Sequence, residues 1–199
     1  MAMQKEVIYS VLIVSANDKF TDSVLSFLPD SGFGPKRAVR NVAMARRSLL
    51  DRDFDLIIIN TPLPDEFGGN FAIDVASDSN SGVLLFANSD IYDELSAKTE
   101  EFGILVLSKP TTKSEVKRSV SLLSATQSRI KKSEEKQQSF EDKIKEIRVI
   151  NHAKWLIIEH EAMNETQAHK YIEKQAMDRR LTRLRVAEEI IDTYEGSGK

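Results

Sequence analysis

The sequence predicts an α/β unit followed by an all-α unit, and three observations carry that prediction. Up to about residue 110, short apolar runs alternate with amphipathic segments, the pattern of strands joined by crossover helices. Beyond Pro110 strand signals cease and one long, polar, helix-favouring segment follows. The remainder reads as a bundle of three helices dense in Lys and Arg.

Taken in order, the candidate strands are Val11–Val14, Arg37–Arg40, Leu56–Asn60, Val83–Ala87 and Ile104–Leu107. Helix-like stretches separate them: Lys19–Leu28, Asn41–Asp51, Phe71–Ala76 and Asp90–Phe102, with another beginning near Thr112. Five such units imply a parallel sheet covered on both faces. Gly32 with Gly34-Pro35, Asp65 to Gly69 and Ser79 to Gly82 supply turn chemistry between them. The expected organisation is an α/β domain over residues 1–120, a long helix over 112–150 and a helical domain over 138–196.

In the long helix a heptad frame puts Leu123, Ile130, Gln137 and Ile144 in one column and Thr126, Ser133, Phe140 and Ile147 in the other. That seam is weak in its middle. It is consistent with a two-stranded coiled coil and hence a homodimer, or with a solvated linker. Lys131 to Lys136 reads as a solvated face, and the apolar segment continues through Ile150 to Ile157-Ile158. Asn164 with Gln167 three residues later has the capping-box spacing, and Thr182 is a second cap candidate. Ala168, Ile172 and Ala176 form an inward face. Leu184, Ala187, Ile191 and Tyr194 recur at helical spacing before Gly196-Ser197-Gly198.

The 199 residues carry a formal charge of -3, so nucleic-acid binding must be confined to a patch. Between Thr166 and Arg185 that patch exists: Lys170, Lys174, Arg179, Arg180, Arg183 and Arg185 face only Glu173 and Asp178. With no cysteine, thiolate metal sites and thiol nucleophiles are excluded. No apolar run approaches the ~18 residues of a membrane span, and Met1 to Ser10 lacks a signal-peptide layout. A cytoplasmic protein is expected. His152, His160 and His169 have no metal-site spacing, and no phosphate loop or catalytic triad appears. Neither an enzyme nor a cofactor is expected.

The first half resembles the receiver domain of two-component response regulators, through Val11-Leu12-Ile13-Val14-Ser15-Ala16-Asn17-Asp18, Phe54 to Asn60 with Pro64 and Gly68, and Ser108-Lys109-Pro110. The resemblance implies a flavodoxin-like fold. It also implies a phosphoacceptor carboxylate where Asn60 stands, a metal-binding acidic pair where Ser15 and Ala16 stand, and a hydroxyl where Ala87 stands. An amide is no substitute for a carboxylate nucleophile or a hard-cation ligand. Of the pocket only Lys109 remains, either solvated or in contact with a carbonyl or anion, and Asp18 and Asp65 are the carboxylates left nearby. Val106 stands where the family often carries a switching aromatic. A pseudo-receiver used for dimerisation or partner binding is expected.

The C-terminal part resembles the ANTAR domain of transcription antiterminators, through Ala153-Lys154, Met163-Asn164-Glu165, the run Gln167 to Asp178 and Val186 to Ile191. Trp155 departs from the small residue that the family commonly has there. The resemblance implies binding to hairpins of leader RNA. Lys154, Lys170, Lys174, Arg179, Arg180, Arg183 and Arg185 are the phosphate candidates, and His169, Tyr171 and Gln175 the base-reading candidates. Arg183 and Arg185 could instead pair with Glu188 and Glu189, and Tyr171 could be core. A sensory partner protein or a ligand would supply the input. A DNA-binding response regulator and a protein-interaction adaptor are the alternatives.

Overall fold

The computed structural model describes residues 7–196 and divides into two compact units, 1–132 and 133–199. In the first, β1 (Tyr9–Val14), β2 (Phe33–Val39), β3 (Leu56–Asn60), β4 (Gly82–Asn88) and β5 (Leu105–Lys109) form one parallel sheet in the order β2-β1-β3-β4-β5. Helices α1 (Asp18–Leu25), α2 (Val42–Asp51), α3 (Gly69–Asp78) and α4 (Tyr92–Thr99) connect the strands. Strand β3 is buried at all five positions, as expected of a central parallel strand covered on both faces.

Alternation along the strands divides the apolar residues between two cores. Leu12, Val14, Ile57 and Ile59 join Phe71 and Val75 on one face. Val11, Ile13, Leu56 and Ile58 join Val24, Leu28, Val116, Val120 and Leu123 on the other. The last three belong to α5 (Lys113–Glu161), a single helix that crosses the boundary between units.

Several boundaries differ from the sequence reading. The second strand begins at Phe33 and includes Gly34-Pro35, read above as a turn; β2 is an edge strand, where a missing N–H is tolerated. Arg40 lies outside it. Helix α1 stops at Leu25, and the fourth helix gives way to a 3₁₀ turn, Glu100–Phe102, before left-handed Gly103. Helix α3 runs Gly69–Asp78, longer than the Phe71–Ala76 stretch.

Leu123, the first member of the heptad column, is 6% exposed in the sheet core, so it is not part of an open seam. Nor is Lys131 simply solvated. Its ammonium lies 2.6 Å from Asp55 and over the Tyr9 ring, while Gln127 donates to the Asn80 carbonyl at 2.6 Å.

In the second unit, the C-terminal part of α5 packs with α6 (Glu165–Arg179) and α7 (Arg183–Glu195) around Ala153, Ile157, Ala168, Ile172, Ala176, Val186 and Ala187. Four alanines in this small core permit close approach of the helices. Asn164 and Gln167 complete a reciprocal capping box, and Thr182 Oγ1 accepts from Arg185 N at 3.2 Å. Gly196 follows α7; Ser197-Gly198 lies outside the described residues.

Candidate nucleic-acid interface and receiver pocket

At the C-terminal ends of β1, β3 and β5 the strands deliver Ser15, Asn60 and Lys109 to one place. Asn60 Nδ2 donates to Ser15 Oγ at 3.0 Å, and Lys109 Nζ donates to Asn60 Oδ1 at 3.1 Å and to the Thr61 carbonyl. Lys109 is therefore hydrogen-bonded and half-buried, contrary to the solvated reading. Burial pulls its pKa below the ordinary lysine value.

The nearby carboxylates are already engaged. Asp18 accepts from Arg40 at 2.6 Å, while Arg40 also donates to the Ala16 carbonyl. Asp65 accepts from the Val42 and Ala43 amides at 3.0 and 2.9 Å, capping α2. Burial alone would raise the Asp65 pKa; these amide bonds outweigh it and hold it below the usual value. Both aspartates thus have partners in the protein, and among the described residues no three His, Asp or Glu side chains are grouped to hold a metal. Ala87 is buried in β4 and contributes no polar atom, and Val106 is half-buried on β5.

The basic candidates of the second unit fall into two sets. Lys154 pairs with Glu165 at 3.2 Å, Arg179 with Glu189 at 2.6 Å, Arg183 with Glu173 at 3.7 Å, and Arg185 with both Glu188 and Glu189 at 3.4 and 3.5 Å. Arg183 thus finds Glu173 on α6, not the residues of its own helix. Lys170, Lys174 and Arg180 have no carboxylate within 4.0 Å among the described residues. An exposed ion pair does not remove an arginine from competition for phosphate, but phosphate must displace the carboxylate first.

Helical spacing sets Lys170 and Lys174 on the side of α6 opposite Ala168, Ile172 and Ala176. Tyr171 is 40% exposed and lies outside the small core, so the core reading of this residue does not hold. Gln175 is half-buried, and His169 sits 3.3 Å from Glu173. His160 stacks on Tyr194 with centroids 4.7 Å apart, and Tyr194 donates to Glu161 at 2.6 Å, an acceptor that raises the phenol pKa. His152 faces Glu195 at 2.9 Å. Trp155 is 69% exposed, so it does not fill the contact between α5 and α6.

Residues 138–191, spanning the end of α5 with α6 and α7, match the sequence profile of the ANTAR domain. The second unit carries an ANTAR domain. The chain is also 25% identical over 139 residues to the transcriptional regulatory protein PdtaR of Mycobacterium tuberculosis, covering 70% of this chain and 68% of that one. Solved structures extend the comparison to the first unit. A signal receiver domain of an HD domain-containing protein from Pseudomonas fluorescens superposes with a TM-score of 0.57 at 20% identity, over 66% of this chain and 97% of that one. A CheY-like receiver protein from Methanospirillum hungatei gives 0.53 at 16% identity, over 61% and 98%. The unit that precedes the ANTAR domain therefore has the receiver fold.

Met177, which the sequence reading did not single out, is 78% exposed on α6 at the i+7 position from Lys170. No helix among the described residues is long and apolar enough to cross a membrane.

Proposed function

We propose that this chain is a cytoplasmic transcription antiterminator that binds hairpins of leader RNA and is not controlled by aspartyl phosphorylation. The observation that carries the reading is the pair of unpaired cations Lys170 and Lys174 on the outward side of α6 in an ANTAR domain, with unpaired Arg180 at the C-terminal cap of that helix. Binding a polyanion releases its counterions, and cations without a carboxylate partner contribute to that release without first breaking an ion pair. The paired cations, Lys154, Arg179, Arg183 and Arg185, are secondary contacts; His169, Tyr171 and Gln175 belong to the same helix α6 and would read bases.

The receiver pocket supports the second half of the proposal. A Ser15–Asn60–Lys109 hydrogen-bond network stands where phosphoryl chemistry needs carboxylates, so the input is a sensory partner protein or dimer geometry. Phe140, Ile144 and Ile147 are 65%, 49% and 57% exposed at heptad spacing, a seam for a homodimer through α5. A dimer would hold two ANTAR domains and engage paired hairpins with increased avidity.

Crosslinking in cells followed by sequencing of bound RNA, then single-round transcription from a recovered leader, tests the proposal. Added protein should increase read-through of the terminator, and Lys170→Ala with Lys174→Ala should abolish the increase. Unchanged read-through, or preferential recovery of duplex DNA in a competition gel shift, would overturn it in favour of a DNA-binding regulator.

A further inference from the structure

The turn between α6 and α7 closes as a Schellman cap: Leu181 N donates to the Ala176 carbonyl at 3.0 Å and Arg180 N to the Met177 carbonyl at 3.3 Å. This geometry requires a left-handed residue, and Arg180 provides it with φ 52 and ψ 40. Glycine enters that region without steric cost, so an arginine here is held at some expense to stability. Strain alone does not mark a site, since Ala162 adopts φ 51 at the end of α5 with only a methyl side chain.

What separates Arg180 is its surroundings. Its guanidinium has no carboxylate within 4.0 Å among the described residues, although Arg179 beside it is paired to Glu189. Met177, one turn back, exposes 78% of its surface. Lys170, Lys174 and Met177 recur at i, i+4 and i+7, a stripe that leads to Arg180 and sets one apolar, polarizable group between the two lysines and the arginine.

We propose that Met177 and Arg180 contact unstacked nucleobases of an RNA loop, while Lys170 and Lys174 follow the adjoining phosphates; this rests on the RNA-binding reading above. A thioether packs against a base face, and a guanidinium stacks on a base or donates two parallel hydrogen bonds to its edge. A regular RNA stem offers neither contact, because its bases are stacked and its major groove is too narrow for side chains. Loop nucleotides splayed from the stem offer both.

The test uses the full chain and a pool of RNA hairpins with one constant stem and a randomised loop, beside the same stem closed by one fixed loop. Wild-type protein should enrich a subset of loops. Arg180→Gly should keep or raise the melting temperature of the protein while weakening the enriched hairpin about tenfold or more. Met177→Ala should reduce discrimination between enriched and fixed loops. If both variants bind the enriched hairpin as wild type does, or lose the two hairpins equally, the base contacts are refuted and RNA binding stands. If wild-type protein retains no hairpin, the RNA-binding reading fails and this inference with it.

Discussion

Lys109 reaches the Asn60 side-chain oxygen across 3.1 Å, and through that amide it is linked to Ser15 at the C-terminal end of β1. The pocket is thereby filled by partners that satisfy one another. Changing Asn60→Asp places a carboxylate at the phosphoacceptor position, but Ser15 and Ala16 still supply no acidic pair and Asp18 remains held by Arg40. Intact-mass measurement after acetyl phosphate and Mg²⁺ should show no phosphoryl adduct on either the natural chain or the Asn60→Asp variant. A stable adduct on the natural chain would end the pseudo-receiver reading.

Removing the amide should cost stability. Asn60→Leu leaves Ser15 Oγ and the Lys109 ammonium without their shared partner in a largely buried place, a loss of about 1–3 kcal/mol. Urea titration followed by circular dichroism measures it. An unchanged midpoint would mean that solvent replaces the amide freely.

Asp55 gives a pH-dependent prediction. Burial by itself would raise its pKa, but hydrogen bonds from Lys131 and from Ser10 outweigh this and hold it below the ordinary 3.8. A folded pKa below the unfolded one means that the stabilisation is fully present above that unfolded value and disappears as pH falls through the folded value. The stability difference between the natural chain and Asp55→Asn should therefore be constant near neutrality and shrink once the pH drops below 3.8. Paired urea titrations across that range check it, and a difference that grows on acidification would contradict the Lys131 clasp.

Two backbone positions should respond in opposite directions. Ala162 carries φ 51, so Ala162→Gly relieves strain and should gain up to about 1 kcal/mol after the extra flexibility of the unfolded chain is counted. Gly68 carries φ 95, and a Cβ there would meet Ile59, Thr61 and Leu63 side chains at 3.3 Å. Gly68→Ala should lose about 1–2 kcal/mol. Thermal unfolding distinguishes the signs.

How far these features could be read from sequence depends on how local their causes are. The capping box at Asn164 and Gln167, the Thr182 cap and the inward alanines of α6 arise from neighbours within one turn, and the spacing carried them. Strand β3 was legible because an apolar run of its length fits a central parallel strand. The start of β2 was not, because Gly34-Pro35 spells a turn unless the strand is known to be at an edge. Leu123 satisfied a heptad column and a sheet core equally well, and only the fold separates those uses. The division of cations into paired and unpaired sets depends on contacts between α6 and α7, such as Arg183 with Glu173 and Arg179 with Glu189. No spacing rule along one helix supplies them.

The central claim, that unpaired cations on α6 bind RNA phosphates, is tested most directly by the salt dependence of binding. A leader hairpin recovered by crosslinking is titrated with the natural chain and with Lys170→Ala/Lys174→Ala across a range of salt concentrations. The natural chain should show a steep fall of log affinity with log salt, and losing two phosphate contacts should flatten the slope by about 1.4–1.8. A slope that is the same in both proteins, or absent in the natural chain, would contradict the account.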